Sequence, residues 1–243
     1  MVRAVRGLPE IELSYFFEKF ADFRSAVTVS AAEQPAASLW PETARLAVVA
    51  PWFRVAAPAR VFPRWDAAEV RKHAPDVLAA PVEILDRLLA DPAPVQALDL
   101  FAVLALTGAG TPLASEDLRD RVWRALGVPL YVQFRGFHGE LLARECERHE
   151  GLHVARESAA FDIRDSGELS ITSLVNLRHP VFRLGTRLQS GFDTAVCGCG
   201  LPEPRLMGLR QMPVHTEGSL RALAAAVGTS GAAERPAAAR MLS

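Results

Sequence analysis

All three cysteines of this 243-residue chain, taken with one histidine, make a pattern that suits a metal ion. Cys197-Gly198-Cys199-Gly200 is a Cys-x-Cys knuckle, and its glycines let the backbone turn so that both sulfurs can face one point. Upstream, Cys146 and His153 are separated by six residues in CERHEGLH. Together they form a Cys₃His set, with the ligand count and softness that tetrahedral zinc prefers. Four protein ligands would leave no open coordination position, so the expected role is structural. His149 is the alternative nitrogen ligand. The spacing is not that of a standard finger, and one buried thiol with two loop thiols is the competing explanation.

Two weaker constellations follow from position. The turn TGAGTP, with Thr107, Gly108 and Gly110, can present backbone amides to a nucleotide or a carboxylate. It lacks the Lys-Ser/Thr pair of a P-loop and the full dinucleotide fingerprint, so a plain strand-to-helix turn is the more frequent explanation. His138 and Glu140 follow an expected strand over 128–134, where α/β sheets place function, and could act as an acid/base pair. Arg183, at a strand end, is the candidate anchor for a small acid. No nucleophile elbow, His-Glu-x-x-His helix or paired-carboxylate signature is present.

The elements that must position these groups read as α/β, or α+β. Apolar residues at helical spacing mark 10–23, and a polar connection follows over 30–41. Residues 46–50 form a short β-branched strand, and three prolines interrupt 51–63. A helix starting at Asp66 and another over 81–90 precede a buried apolar strand over 98–106. Ser115 can cap the next helix, whose Leu118, Val122 and Leu126 share a face and which Gly127 ends. With the strand over 128–134 this makes a βαβ unit and hence a parallel sheet. Short strands over 161–163, 168–174 and 181–184, with a turn at Asp165-Ser166-Gly167, suggest a smaller, β-rich continuation. An Ala-rich helix from Thr216 and a frayed tail over 229–243 close the chain. The expected divisions are 1–135, 136–215 and 216–243.

Composition narrows the function classes. The chain is 50% hydrophobic and 23% charged with net charge −1, enough for a core and no electrostatic trap for nucleic acid or a membrane surface. Lys19 and Lys72 are its only lysines, so Schiff-base or phosphate-clamping lysines could come only from there. Without an apolar leader or spanning run, and with few cysteines, a cytoplasmic location is expected.

The order of motifs resembles the middle of adenylate-forming ligases of the phenylacetate–CoA ligase, coenzyme F390 synthetase and CapK type. It runs from HAPDVL at His73 through TGAGTPLA, PLYVQFRGFHGELLARECERHEGLHV and FDIRDSGELSITSL to PVFRLGTRLQ and CGCGLPEPRLMGLR, roughly 72–210. The resemblance implies the ligase core fold, a parallel βα part followed by a smaller β-rich part. It also strengthens the zinc reading, since such families carry the Cys…His…Cys-x-Cys pattern. It places Phe134 and Thr186, with the turn at Thr107, Gly108 and Gly110, in the nucleotide-binding region.

The departures point the other way. The family's phosphate loop with its lysine is not found before Leu46. FRGFH puts His138 where the family's ATP–Mg²⁺ glutamate belongs. RLGTRL keeps Arg183 and Thr186 but replaces the ribose-binding aspartate, and no C-terminal catalytic lysine domain is expected after Arg210. The expectation is a degenerate ligase that does not adenylate alone, with ATP–Mg²⁺ and CoA doubtful as cofactors. Its partner would be a full-length homologue or pathway enzyme, held by apolar surface exposed where domains are missing. The alternatives are altered chemistry on an aryl or acyl carboxylate by His138, Glu140 and Arg183, or a small-acid or CoA-binding module. Homo-oligomerisation is also open.

Overall fold

The computed structural model describes residues 27–29, 44–50, 53–55, 59–108, 111–136, 139–175 and 181–213. The helices expected over 10–23 and after Thr216, the connection over 30–41 and the frayed tail lie outside them. All described strands and helices belong to one compact unit that ends at Gln211.

The first half is a parallel βα layer. β1 (Val27–Val29) and β3 (Phe53–Val55) pair in parallel as a separate two-stranded sheet. The main sheet has eleven strands. Its parallel part takes the order β4 (Arg60–Phe62), β2 (Leu46–Val49), β5 (Val77–Pro81), β6 (Ala102–Gly108), β7 (Leu130–Arg135). Strands β2, β5 and β6 are buried along their whole length, as parallel strands covered on both faces must be. Alternate residues separate into two cores: Val48, Ala79 and Leu104 join one, and Val49, Leu78 and Val103 the other. Helices α1 (Ala67–His73), α2 (Val82–Ala90) and α4 (Glu116–Leu126), with the single turn α3 (Ala93–Gln96), connect these strands. Val70, Leu85, Leu88, Leu118 and Val122 bring the three longer helices into the second core.

Helix boundaries follow local chemistry. The Asp66 carboxylate accepts the N–H groups of Ala68 and Glu69, and the Ser115 hydroxyl accepts that of Leu118. Gly127 closes α4 in the left-handed conformation at φ +69°. The strand expected over 98–106 begins only at Ala102, because the Leu98 N–H still closes the α3 turn on Val95.

After β7 the sheet turns antiparallel. β8 (Leu141–Glu145), β9 (Leu152–Val154), β13 (Arg205–Gln211), β12 (Leu184–Asp193), β11 (Glu168–Ser173) and β10 (Ala159–Ile163) follow in spatial order. This end rolls back on itself: Phe161 of β10 stacks on Phe134 of β7 at 6.3 Å between ring centroids. The strand expected at 181–184 instead starts at Leu184 and runs ten residues, through a bulge opposite Glu168–Ser170. Arg187 occupies that bulge at φ +57°. Its N–H donates to Glu168, while the Thr186 hydroxyl donates to the Leu169 carbonyl and accepts the Leu188 N–H.

A left-handed arginine is strained, so Arg187→Gly is expected to raise stability. The gain should be about 0.5–1 kcal/mol, the relief of the side-chain clash less the greater freedom of glycine when unfolded. Urea denaturation reads this directly, and a destabilised variant would show that the exposed Arg187 side chain matters more than its backbone. Among the described residues no helix is long and apolar enough to cross a membrane.

Candidate metal centre

Two loops at one end of β8, β9, β13 and β12 bring the three cysteines and His153 together. Cys146 directly follows β8, His153 lies in β9, and the β12–β13 loop carries Cys197 and Cys199. Their four candidate ligand atoms lie within 4.8 Å of one another. The Cys146 and Cys197 sulfurs are 3.8 Å apart, and Cys199 Sγ is 3.4 Å from His153 Nε2. Metal–sulfur bonds of about 2.3 Å at tetrahedral angles would set sulfurs roughly 3.8 Å apart, so the cage already has the span of a four-coordinate ion. Cys146, His153 and Cys197 are buried, and only Cys199 is partly exposed.

Both loops share one construction. Each of the three sulfurs receives the backbone N–H of the residue two positions on: Arg148 for Cys146, Cys199 for Cys197, and Leu201 for Cys199. The His149 N–H closes a turn on the Cys146 carbonyl, and the Gly200 N–H closes a matching turn on that of Cys197. His149 and Gly200 both take left-handed φ, +53° and +86°. Amides aimed at sulfur favour the thiolate, the form a metal requires. Burial works against it and pushes the Cys146 thiol up to about 12. Burial also lowers the His153 imidazole below its ordinary value, keeping it in the neutral, ligating form. A bound cation would offset the cost of clustered thiolates.

The surrounding charges fasten the cage to the fold. Glu145, nearly buried before Cys146, accepts Arg119 Nη2 at 3.0 Å and the Val132 N–H at 3.0 Å. His149 stands beside the same carboxylate at 3.2 Å and stacks on Tyr131 at 4.9 Å, so this ring belongs to the clamp and not to the cage. Arg205, register partner of His153, reaches Glu150 at 3.2 Å and also binds Asp193. The Ala195 N–H and Arg205 hold the Asp193 carboxyl below its usual range. The Glu145–Arg119 clamp joins residues 26 positions apart, and no sequence spacing announces it.

The remaining candidates lie at the ends of β6, β7 and β12. Thr107 donates to the Pro112 carbonyl at 2.7 Å, and the Gly108 N–H donates to the Thr111 hydroxyl at 2.8 Å. Gly108 lies so close to β7 that a Cβ there would meet the Arg135 carbonyl at 2.5 Å. Phe134 is fully buried, and Glu140 is buried in the β7–β8 turn against Gly136. Gly110 and His138 lie outside the described residues. Arg183 and Thr186 sit at the start of β12, where Arg183 pairs with Asp162 at 3.0 Å and Thr186 closes the bulge. Gln211 bridges the two regions: it is the register partner of Leu188 and its Nε2 lies 3.4 Å from the Thr111 carbonyl.

No protein-family model matches this chain, and no curated protein does. Solved structures do. A 2-hydroxyisobutyryl-CoA ligase in an open conformation with 2-HIB-AMP and CoA superposes with TM-score 0.55 at 15% identity, over 70% of this chain and 45% of that one. The same enzyme in its thioesterification state gives 0.53 at 15% identity, over 71% and 44%. The chain thus spans less than half the length of the ligases it matches. The mixed sheet, with its five-stranded parallel layer and antiparallel end, has the fold of part of an acyl-CoA ligase.

Proposed function

We propose that this chain is a degenerate ligase of the phenylacetate–CoA ligase, F390 synthetase and CapK kinship that does not adenylate an acid by itself. One observation carries the reading. The family's ribose-binding aspartate would fall at Leu188, and Leu188 is 2% exposed within the hydrophobic core. The preceding position, a glycine in the family motif, is Arg187, which keeps a glycine-like φ of +57°. The backbone of a nucleotide motif therefore persists around a side chain that can only pack. Thr186, the surviving hydroxyl, is 1% exposed and spent on the bulge.

Adenylation develops charge on a pentavalent phosphorus and needs positioned donors, Mg²⁺ and usually a lysine to stabilise it. Thr107 and Gly108 use their donors to close their own turn. Arg183, which could otherwise hold a carboxylate, holds Asp162. In this reading the cage of Cys146, His153, Cys197 and Cys199 binds zinc, whose preference for sulfur and nitrogen donors suits the set. The metal would fasten the β8–β9 and β12–β13 loops, with no position left for substrate. The protein would then support an acyl- or aryl-acid-activating enzyme of a biosynthetic pathway rather than replace one.

Purified protein given ATP, Mg²⁺ and a panel of aryl and acyl acids is expected to release no pyrophosphate above a protein-free control. Turnover that scales with enzyme and depends on the acid would overturn the proposal.

A further inference from the structure

A second feature shares no lining residue with the cage or with the turn that follows β6. The parallel strands run β4-β2-β5-β6-β7 in space, so the chain goes from β2 outward to β4 and then back past β2 to β5. Such a reversal opens a crevice beyond the carboxyl ends of the strands, a common ligand position in doubly wound sheets. A cleft of about 640 Å³ occupies this region, bounded by Pro63 just past β4 and Pro81 at the end of β5. That volume falls in the range of small-molecule sites. Trp65, Ile84, Leu88 and Pro94 supply apolar walls.

The charges around these walls are exposed, and their side chains are unpaired. Arg64, Glu83, Arg87 and Asp91 all line the cleft, and none makes a hydrogen bond or ion pair among the described residues. Arg87 has acids four residues away on each side and pairs with neither. On neighbouring α4, Arg121 and Arg124 do close such pairs, with Asp117 and Asp120. Two cations and two anions sum to zero, so a lone carboxylate would meet two acids and a lone amine two guanidiniums. A ligand with both charges can pair with both signs and lay an apolar body on Trp65 and Ile84.

We infer that this cleft binds a zwitterion with a large apolar body, of the amino-acid class. The inference rests on neither the metal nor the loss of adenylation. L-phenylalanine, titrated calorimetrically into the full chain, is expected to bind with a Kd of about 1 mM or tighter. Phenylacetate and phenethylamine, each with one of the two charges, should bind at least about tenfold more weakly. Arg87→Gln should weaken L-phenylalanine about tenfold while the melting temperature stays unchanged, since Arg87 makes no internal pair. Ile84→Trp, which fills the cleft, should abolish binding. The inference fails if L-phenylalanine does not bind at about 10 mM. It fails equally if phenylacetate or phenethylamine binds as tightly, or if Arg87→Gln and Ile84→Trp both leave the affinity intact.

Discussion

Replacing Cys197 and Cys199 together by serine is expected to remove one zinc ion per chain and to lower the melting temperature by roughly 10–20 °C. Those degrees correspond to about 5 kcal/mol in a chain of this size. Metal-dependent peptides owe all of their folding energy, about 10–16 kcal/mol, to the ion. Here the hydrophobic core continues from β7 through Leu142, Leu152 and Leu206 without it, so the loss should be smaller. It should fall on the loops that hold Cys146 and Cys197, whose sulfurs sit 3.8 Å apart. Elemental analysis of the wild type and a melt with and without chelator provide the test. A wild type that carries no metal and melts identically with chelator would remove the metal from this account. Acid should mimic the chelator. Metal binding must displace the proton that burial keeps on Cys146, so added protons compete with the ion and its stabilisation shrinks as pH falls.

The cage was legible in the sequence because it uses every thiol the chain has, and a set that small leaves little to choose. The sequence already put His153 ahead of His149, and the fold supplies the reason. His153 is carried by β9 into the cage, whereas the turn after Cys146 rotates His149 onto Tyr131. Helix ends were legible for a local reason: Asp66, Ser115 and Gly127 act within three or four residues. Strands β8, β9 and β13 were not read as strands. RLMGLRQ has mixed polarity because only its start is buried, LLARE because it carries a buried, paired Glu145, and LHV is too short to show a period. β5 escaped because VLAAP runs without a break into α2. The polar stretch TRLQSGFD looks like a loop, yet its backbone pairs with β13 as far as Asp193. The resemblance places a nucleotide motif at 183–188, and the burial of Leu188 there is not visible in the sequence.

That burial makes the second large prediction. Leu188→Asp, which restores the residue the resemblance would place there, is expected to destabilise the fold by about 4–6 kcal/mol and to create no ATP binding. Leu188→Ala loses burial and leaves a cavity, at about 2–4 kcal/mol. The aspartate adds the cost of a carboxylate among Leu169, Leu206 and Phe134, members of the same core cluster. Because burial favours the neutral acid, its folded pKa would rise above the unfolded value of about 3.9. Between those two pKa values the native state binds more protons than the unfolded chain, so stability falls as pH rises through the window. Leu188→Asp should therefore sit close to Leu188→Ala at about pH 4 and well below it at about pH 7 in urea titrations. A Leu188→Asp chain that kept wild-type stability at neutral pH and bound ATP with Mg²⁺ would mean that the side chain faces a working nucleotide cleft. Position 188 would then not be a packing position, and the burial that carries the non-adenylating proposal would no longer support it.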